Sequence, residues 1–167
     1  MVHLGHVDVP VHQGDIMRAI AQYGRCSQPH RILLEMAWRE RETAKGPYFE
    51  AALDSIRALG EYAAPTTVKL GVECRDGYHE IPDMEEMAEV LRLGDNLPIR
   101  YWHDAGHGAK LDYAGFYDHE EWLRRYGDRL LGMHLHDSER DIDHRAPGQG
   151  KTDFQMLARY LRPETLA

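Results

Sequence analysis

The stretch "LLGMHLHDSERDIDHRAPGQG", residues 130–150, passes from an apolar run into a segment dense in imidazoles and carboxylates and leaves through glycines. Its first part, Leu130–His136, has the brevity, apolar character and turn-rich exit of a buried strand. Two upstream runs share that form, Thr67–Glu73 ("TVKLGVE") and Pro98–His103 ("PIRYWH"), and the opening "MVHLG" reads as the tail of a fourth. Helical patterns separate them. Tyr48–Ala63 repeats apolar residues every three to four positions behind Pro47, and Asp83–Leu93 starts at a capping aspartate and stops at Gly94. Further helices are expected near Asp118–Tyr126 and Thr152–Leu161. The segment 28–45 also reads as a helix, with its Glu and Arg residues on a solvated face. Strands alternating with helices of this length predict an α/β fold with a parallel sheet. The nearly equal spacing from Glu73 to Asp104 and from Asp104 to His134 points to a (β/α) barrel of the TIM type. An open doubly wound sheet is the rival, but no glycine fingerprint follows the first strand.

A length of 167 residues suits one domain, expected over residues 1–167. Apolar residues at 43% and charged residues at 29% are globular values, which exclude a disordered, collagen-like or coiled-coil chain. No apolar run is long enough to cross a bilayer, and "MVHLGHVDVP" lacks the basic flank and apolar block of a secretory signal, so a cytoplasmic protein is expected. Cys26 and Cys74 stand in no metal or redox spacing. A net charge of -8 repels polyanions and argues against nucleic acid as a partner.

Polar residues fall where each strand hands over to its loop. Glu73 ends "KLGVE", Asp104 and His107 lie in "HDAGH", and His134 and His136 end "LLGMHLH". Parallel neighbouring strands would aim these groups into one mouth. Carboxylates mixed with imidazoles suit Zn, Mn, Co or Fe, whereas oxygen alone favours Mg or Ca. Gly106 and Gly108 are expected to let a loop after Asp104 turn back over the ion, bringing His107 to the same cavity. A terminal Asp or His is also a common turn former or cap. Glu73 is the sharper candidate, because a carboxylate after a nearly continuous apolar run is costly to bury unpaired. His103 and His136 stand outside the expected ligand set, with one of them expected to face outward, and His79 and His119 are expected at the surface.

Together "GVE", "HDAGH", "MHLHD" and "DIDHRAPGQGKTDF" resemble the xylose-isomerase-like TIM-barrel superfamily, which includes sugar-phosphate isomerases and epimerases, inosose dehydratases and metal-dependent apurinic-site endonucleases. The resemblance covers about half of the chain, Val68 to Phe154, and is most specific at His144–Gly150. It implies a divalent ion (Mn, Zn, Co or Mg) held by Glu73, Asp104 and His134. In the epimerase branch His107 and Arg140 contact substrate oxygens, while Glu73 moves a proton at the carbon beside a carbonyl and the metal stabilises the enediolate. In the endonuclease branch His3, His107, Asp143 and His144 help hold additional ions. Ile142 stands where the family places its acid, two residues before the histidine. The family's final strand brings a further glutamate, and this sequence ends at "YLRPETLA", where that strand would begin. The resemblance therefore implies a partial barrel of about four βα units, self-associating or completed by a missing half. The functions implied are a small-sugar or sugar-phosphate isomerase or epimerase, an apurinic-site phosphodiesterase, or a non-catalytic metal- or sugar-binding half-barrel.

Overall fold

Three parallel strands, β2 (Leu70–Glu73), β4 (Ile99–Asp104) and β5 (Leu130–His134), form the sheet that carries every polar strand end of interest. They belong to a computed structural model that describes residues 7–8, 28–77, 79–140 and 142–166. Its other elements are β1 (Val7–Asp8), α1 (Gln28–Ala44), α2 (Gly46–Ala63), β3 (Glu80–Ile81), α3 (Met84–Leu93), α4 (Ala105–Ala114), α5 (His119–Tyr126), the hairpin strands β6 (Asp137–Glu139) and β7 (Ile142–Arg145), and α6 (Phe154–Ala158).

The sheet runs in the order β2-β4-β5, with Glu73 opposite Trp102 and Asp104 opposite His134. A single parallel bridge from Gly132 to Leu166 extends it by one position beyond β5. Among the described residues the sheet is mixed with helices in the expected α/β manner, and it does not close into a barrel. Side chains alternate between its two faces. Leu70, Val72, Ile99, Tyr101 and Met133 belong to one buried cluster with Phe49, Leu53 and Ile56 of α2, Met87, Val90 and Leu91 of α3, and Trp122, Leu123 and Tyr126 of α5. Trp102 fills space that Gly71 and Gly132 leave open, since a Cβ on Gly132 would lie 2.4 Å from its ring.

Several elements differ from the sequence reading, each for a local reason. The first strand starts at Leu70 rather than Thr67, because Thr66 turns back on the end of α2 through its hydroxyl and the Ala63 carbonyl. The third strand ends at His134, after which the chain forms the β6–β7 hairpin. The expected loop after Asp104 is helix α4, with the Asp104 side chain as its cap. Asp83 and Glu86 close a reciprocal capping box on α3, as a helix start there requires.

The solvated-face reading of residues 28–45 fails at Arg41, which is 0% exposed. Its guanidinium bonds Asp83 Oδ2 at 2.9 Å, Glu86 Oε2 at 2.7 Å and the Glu80 carbonyl at 2.9 Å, and it lies 5.0 Å from the Trp38 ring centre. Arg41 thus ties α1 to the capped start of α3 and to the strand before it.

Candidate metal centre

Glu73, Asp104 and His134 are the last residues of adjacent parallel strands, so backbone register alone delivers their side chains to one end of the sheet. His134 Nδ1 lies 2.6 Å from Glu73 Oε1 and 3.3 Å from Asp104 Oδ2. One ligand atom from each of the three falls within 4.8 Å of the others. Glu73 and Asp104 are buried, and His134 is part-exposed on the open side.

The two carboxylates are held by different contacts. Arg75 bonds Glu73 Oε2 at 3.2 Å and bridges onward to Glu80. Asp104 Oδ1 accepts the His107 backbone N–H at 2.9 Å and His136 Nε2 at 2.7 Å, which turns Oδ2 towards His134. The His136 tautomer follows from its neighbours: Nδ1 accepts the His144 backbone N–H at 2.9 Å, so the proton sits on Nε2 and is donated to Asp104. This is the outer-layer support that orients a ligating carboxylate. His136 stands outside the ligand set expected from sequence and lies just past the end of β5; the two-residue period of the strand expected over Leu130–His136 would have put it on the face of His134, and that was the available signal.

Gly106 and Gly108 serve close approach rather than loop flexibility. A Cβ on Gly106 would stand 2.0 Å from the His136 ring, and one on Gly108 would stand 2.4 Å from His119. Both glycines lie in the first turn of α4.

His107 is buried, with Nδ1 2.9 Å from the Cys74 carbonyl, which can only accept; Nδ1 is therefore the donor and Nε2 keeps its lone pair. His144 lies stacked on His136 at 4.3 Å, and its Nδ1 bonds Asp143 at 2.8 Å, a contact that raises the His144 pKa. Asp143 also receives Lys110 Nζ at 3.2 Å. Burial pushes the Asp143 carboxyl up, but His144 and Lys110 outweigh it and hold the group below the usual range. Arg140 stands elsewhere, lining a cavity of about 700 Å³ with residues that include His119, Lys151 and Arg159; none of Glu73, Asp104 and His134 borders it. His3 lies outside the described residues.

The "PGQG" loop encloses an acid. Asp137 accepts the backbone N–H groups of Ser138, Gly148, Gly150 and Thr152 at 2.7 to 2.9 Å. Gly148 has φ +88°, and a Cβ on Gly150 would meet the Ser138 carbonyl at 2.2 Å, so both glycines are required by the cage. Burial raises the Asp137 pKa, but hydrogen bonds from Thr152, Gly150 and Ser138 bring it down to about 2.

Behind the mouth, on the helix side of β4, His103 is fully buried, with Nδ1 2.7 Å from the Tyr101 hydroxyl and Nε2 3.0 Å from His119 Nε2. His119, expected at the surface, is only 6% exposed. Burial lowers its pKa from 6.5 to about 4. Its stabilising contribution is therefore complete above pH 6.5 and is lost as the pH falls towards 4, at a cost of about 3 kcal/mol by linkage. Urea unfolding between pH 7.5 and pH 4 is expected to show that loss, and His119→Gln to show a flatter profile. Equal pH slopes for both proteins would refute the assignment.

The sequence matches the family described as Xylose isomerase-like TIM barrel over residues 14–165, nearly the whole chain. The chain belongs to the xylose isomerase-like TIM barrel family. No curated protein matches it. No helix among the described residues is long and apolar enough to cross a membrane. The family generally binds divalent metals, and two buried carboxylates converging on an imidazole form an O,O,N donor set of the kind that holds Mn, Zn, Co or Fe.

Proposed function

We propose that this xylose isomerase-like chain is a divalent-metal-dependent isomerase or epimerase acting on a small sugar or other polyhydroxy carbonyl compound. The supporting observation is the convergence of Glu73, Asp104 and His134 at three neighbouring strand ends, with Asp104 oriented by His136. These three residues would hold the ion, which when bound supplies Lewis-acid polarisation of adjacent substrate oxygens. Glu73 takes up the proton from the carbon beside the carbonyl and returns it. Arg75 and His134 keep that carboxylate oriented from its two oxygens. Asp104 and His134 fix where the substrate oxygens can sit. A cavity of about 590 Å³ of small-molecule size borders Glu73 and Arg75 together with Val72, Ile56, Ala52 and Tyr48; Asp104, His107 and His134 do not line it. His107 faces the same strand end and would contact a substrate oxygen through Nε2.

The grouping of His107, His136 and His144 favours a second reading, an endonuclease-like phosphodiesterase with several ions. A negative net charge of -8 weighs against a polyanionic substrate. The deciding experiment loads the protein with Mn²⁺, Co²⁺, Zn²⁺ or Mg²⁺ and follows a panel of ketoses and aldoses in D₂O by NMR. Deuterium entering the carbon beside the carbonyl is expected. Cleavage of an abasic-site oligonucleotide without such exchange would replace this reading with the second, and metal binding without either activity would leave a binding protein.

A further inference from the structure

Four groups of His, Asp and Glu among the described residues bring ligand atoms within 4.8 Å of one another: Glu73–Asp104–His134, His107–His136–His144, Asp76–His107–Asp143 and Glu42–Asp83–Glu86. What else those side chains touch separates them. Arg41 and Lys45 already sit among Glu42, Asp83 and Glu86, with Lys45 Nζ 2.8 Å from Glu42 and 3.2 Å from Glu86. In the all-histidine group both ring nitrogens of His136 are engaged, one by Asp104 and the other by the His144 backbone. The third group holds the Lys110 ammonium, bonded to Asp76 Oδ2 and 3.2 Å from Asp143 Oδ2.

An ammonium is a compact point charge that satisfies two carboxylates much as a small cation does. Lys110 is 19% exposed, and its partners are 24% and 23% exposed, so solvent only partly screens the contacts. A divalent ion entering beside His107 would have to displace this charge or be repelled by it at close range. Burial lowers the Lys110 pKa, but Asp76 and Asp143 more than compensate and keep it above the ordinary lysine value.

We propose that Lys110 is a resident cation, taking the place of a second divalent ion between Asp76, His107 and Asp143 and confining metal binding to Glu73, Asp104 and His134. The total ion count rests on the metal reading given above; the role of Lys110 does not. The chain is thereby set apart from a multi-ion phosphodiesterase arrangement, because removing one side chain separates it from a second ion site.

The test counts metal in the purified full chain, using Zn²⁺ or Mn²⁺ alone, by elemental analysis after dialysis and by competition titration. About one equivalent is expected for the wild type and for Lys110→Arg. Lys110→Met is expected to gain about one more, bound at least about tenfold tighter than any second ion on the wild type, and Asp143→Asn in that background is expected to remove the gain. His134→Ala reports separately on the first site: if it changes nothing, the metal reading of that trio fails while the increment caused by Lys110→Met still decides the present inference. Circular dichroism and melting confirm folding, and Lys110→Gln substitutes if Lys110→Met does not fold. A folded neutral variant that gains no ion overturns the proposal, as does a wild type that already binds a second ion lost on Asp143→Asn.

Discussion

Arg41→Ala is expected to destabilise the protein by about 3–5 kcal/mol, the range for removing one member of a buried ion pair. Arg41 is 0% exposed, and its two buried carboxylate partners, Asp83 and Glu86, are 5% and 3% exposed, so water cannot replace the guanidinium there. Both acids are also committed to the start of α3: Asp83 Oδ1 accepts the Glu86 N–H at 2.8 Å, and Glu86 Oε2 accepts the Asp83 N–H at 2.8 Å. Without Arg41, only Lys45 among the described residues, 3.2 Å from Glu86 and 3.9 Å from Asp83, offsets the two buried like charges inside the cap. Burial and Glu86 already raise the Asp83 pKa with Arg41 in place, whereas Glu86, despite its burial, is held below its usual value by Arg41; removing Arg41 raises both. The deficit is therefore expected to be largest near neutral pH and to shrink as the pH falls and a proton joins the pair. Arg41→Lys keeps a charge but loses the fork, and is expected to fall between wild type and alanine. Urea midpoints measured at pH 7 and pH 5 check both claims; a loss below about 1 kcal/mol at pH 7 would place Arg41 in the class of exposed pairs.

A sequence signal for Arg41 existed. Ala37, Arg41 and Ala44 recur at four and three residues, and Ala37 is also 0% exposed, so they share the buried stripe of α1. Charge type alone concealed it, because a run containing Arg39, Glu40, Arg41 and Glu42 looks solvated until one knows which position turns inward. The strands were legible for the opposite reason. A brief apolar run ending in a polar residue fits a buried strand feeding a loop and little else, and register between parallel neighbours then brings Glu73, Asp104 and His134 to the same end of the sheet. The hairpin strands "DSE" and "IDHR" carry no apolar alternation, since they are held by polar contacts such as Asp137 with its four backbone donors. Helix α4 was hidden by its glycines, which usually mark loops and here make room for the rings of His136 and His119. Everything behind the first layer of the site depends on that hairpin and that helix. The pairing of His103 with His119 and the position of Lys110 are contacts between elements that no local pattern announces.

Glu73→Gln is expected to lower turnover by about 10²–10⁴-fold on whichever polyhydroxy carbonyl compound the chain accepts, the range for losing a positioned proton acceptor. Glutamine keeps the volume and an amide oxygen near the place of Oε1, but it cannot take up a proton. It also loses the charge that faces Arg75 at 3.2 Å and His134 at 2.6 Å. Two effects are therefore combined, weaker ion binding and absent proton transfer, and they separate experimentally. Raising the metal concentration until the variant is saturated restores the first and leaves the second. At saturating ion, the rate of deuterium entry beside the carbonyl isolates the step assigned to Glu73. A residual rate within a few-fold of wild type there would show that Glu73 only holds the ion and that another group moves the proton. His107, whose Nε2 keeps a lone pair while Cys74 fixes the other nitrogen, is then the next group to replace. If instead the variant binds the ion more weakly and the exchange stays absent at saturating ion, the coordination and proton-transfer roles belong to one carboxylate, placed at the end of β2 by the register of the sheet.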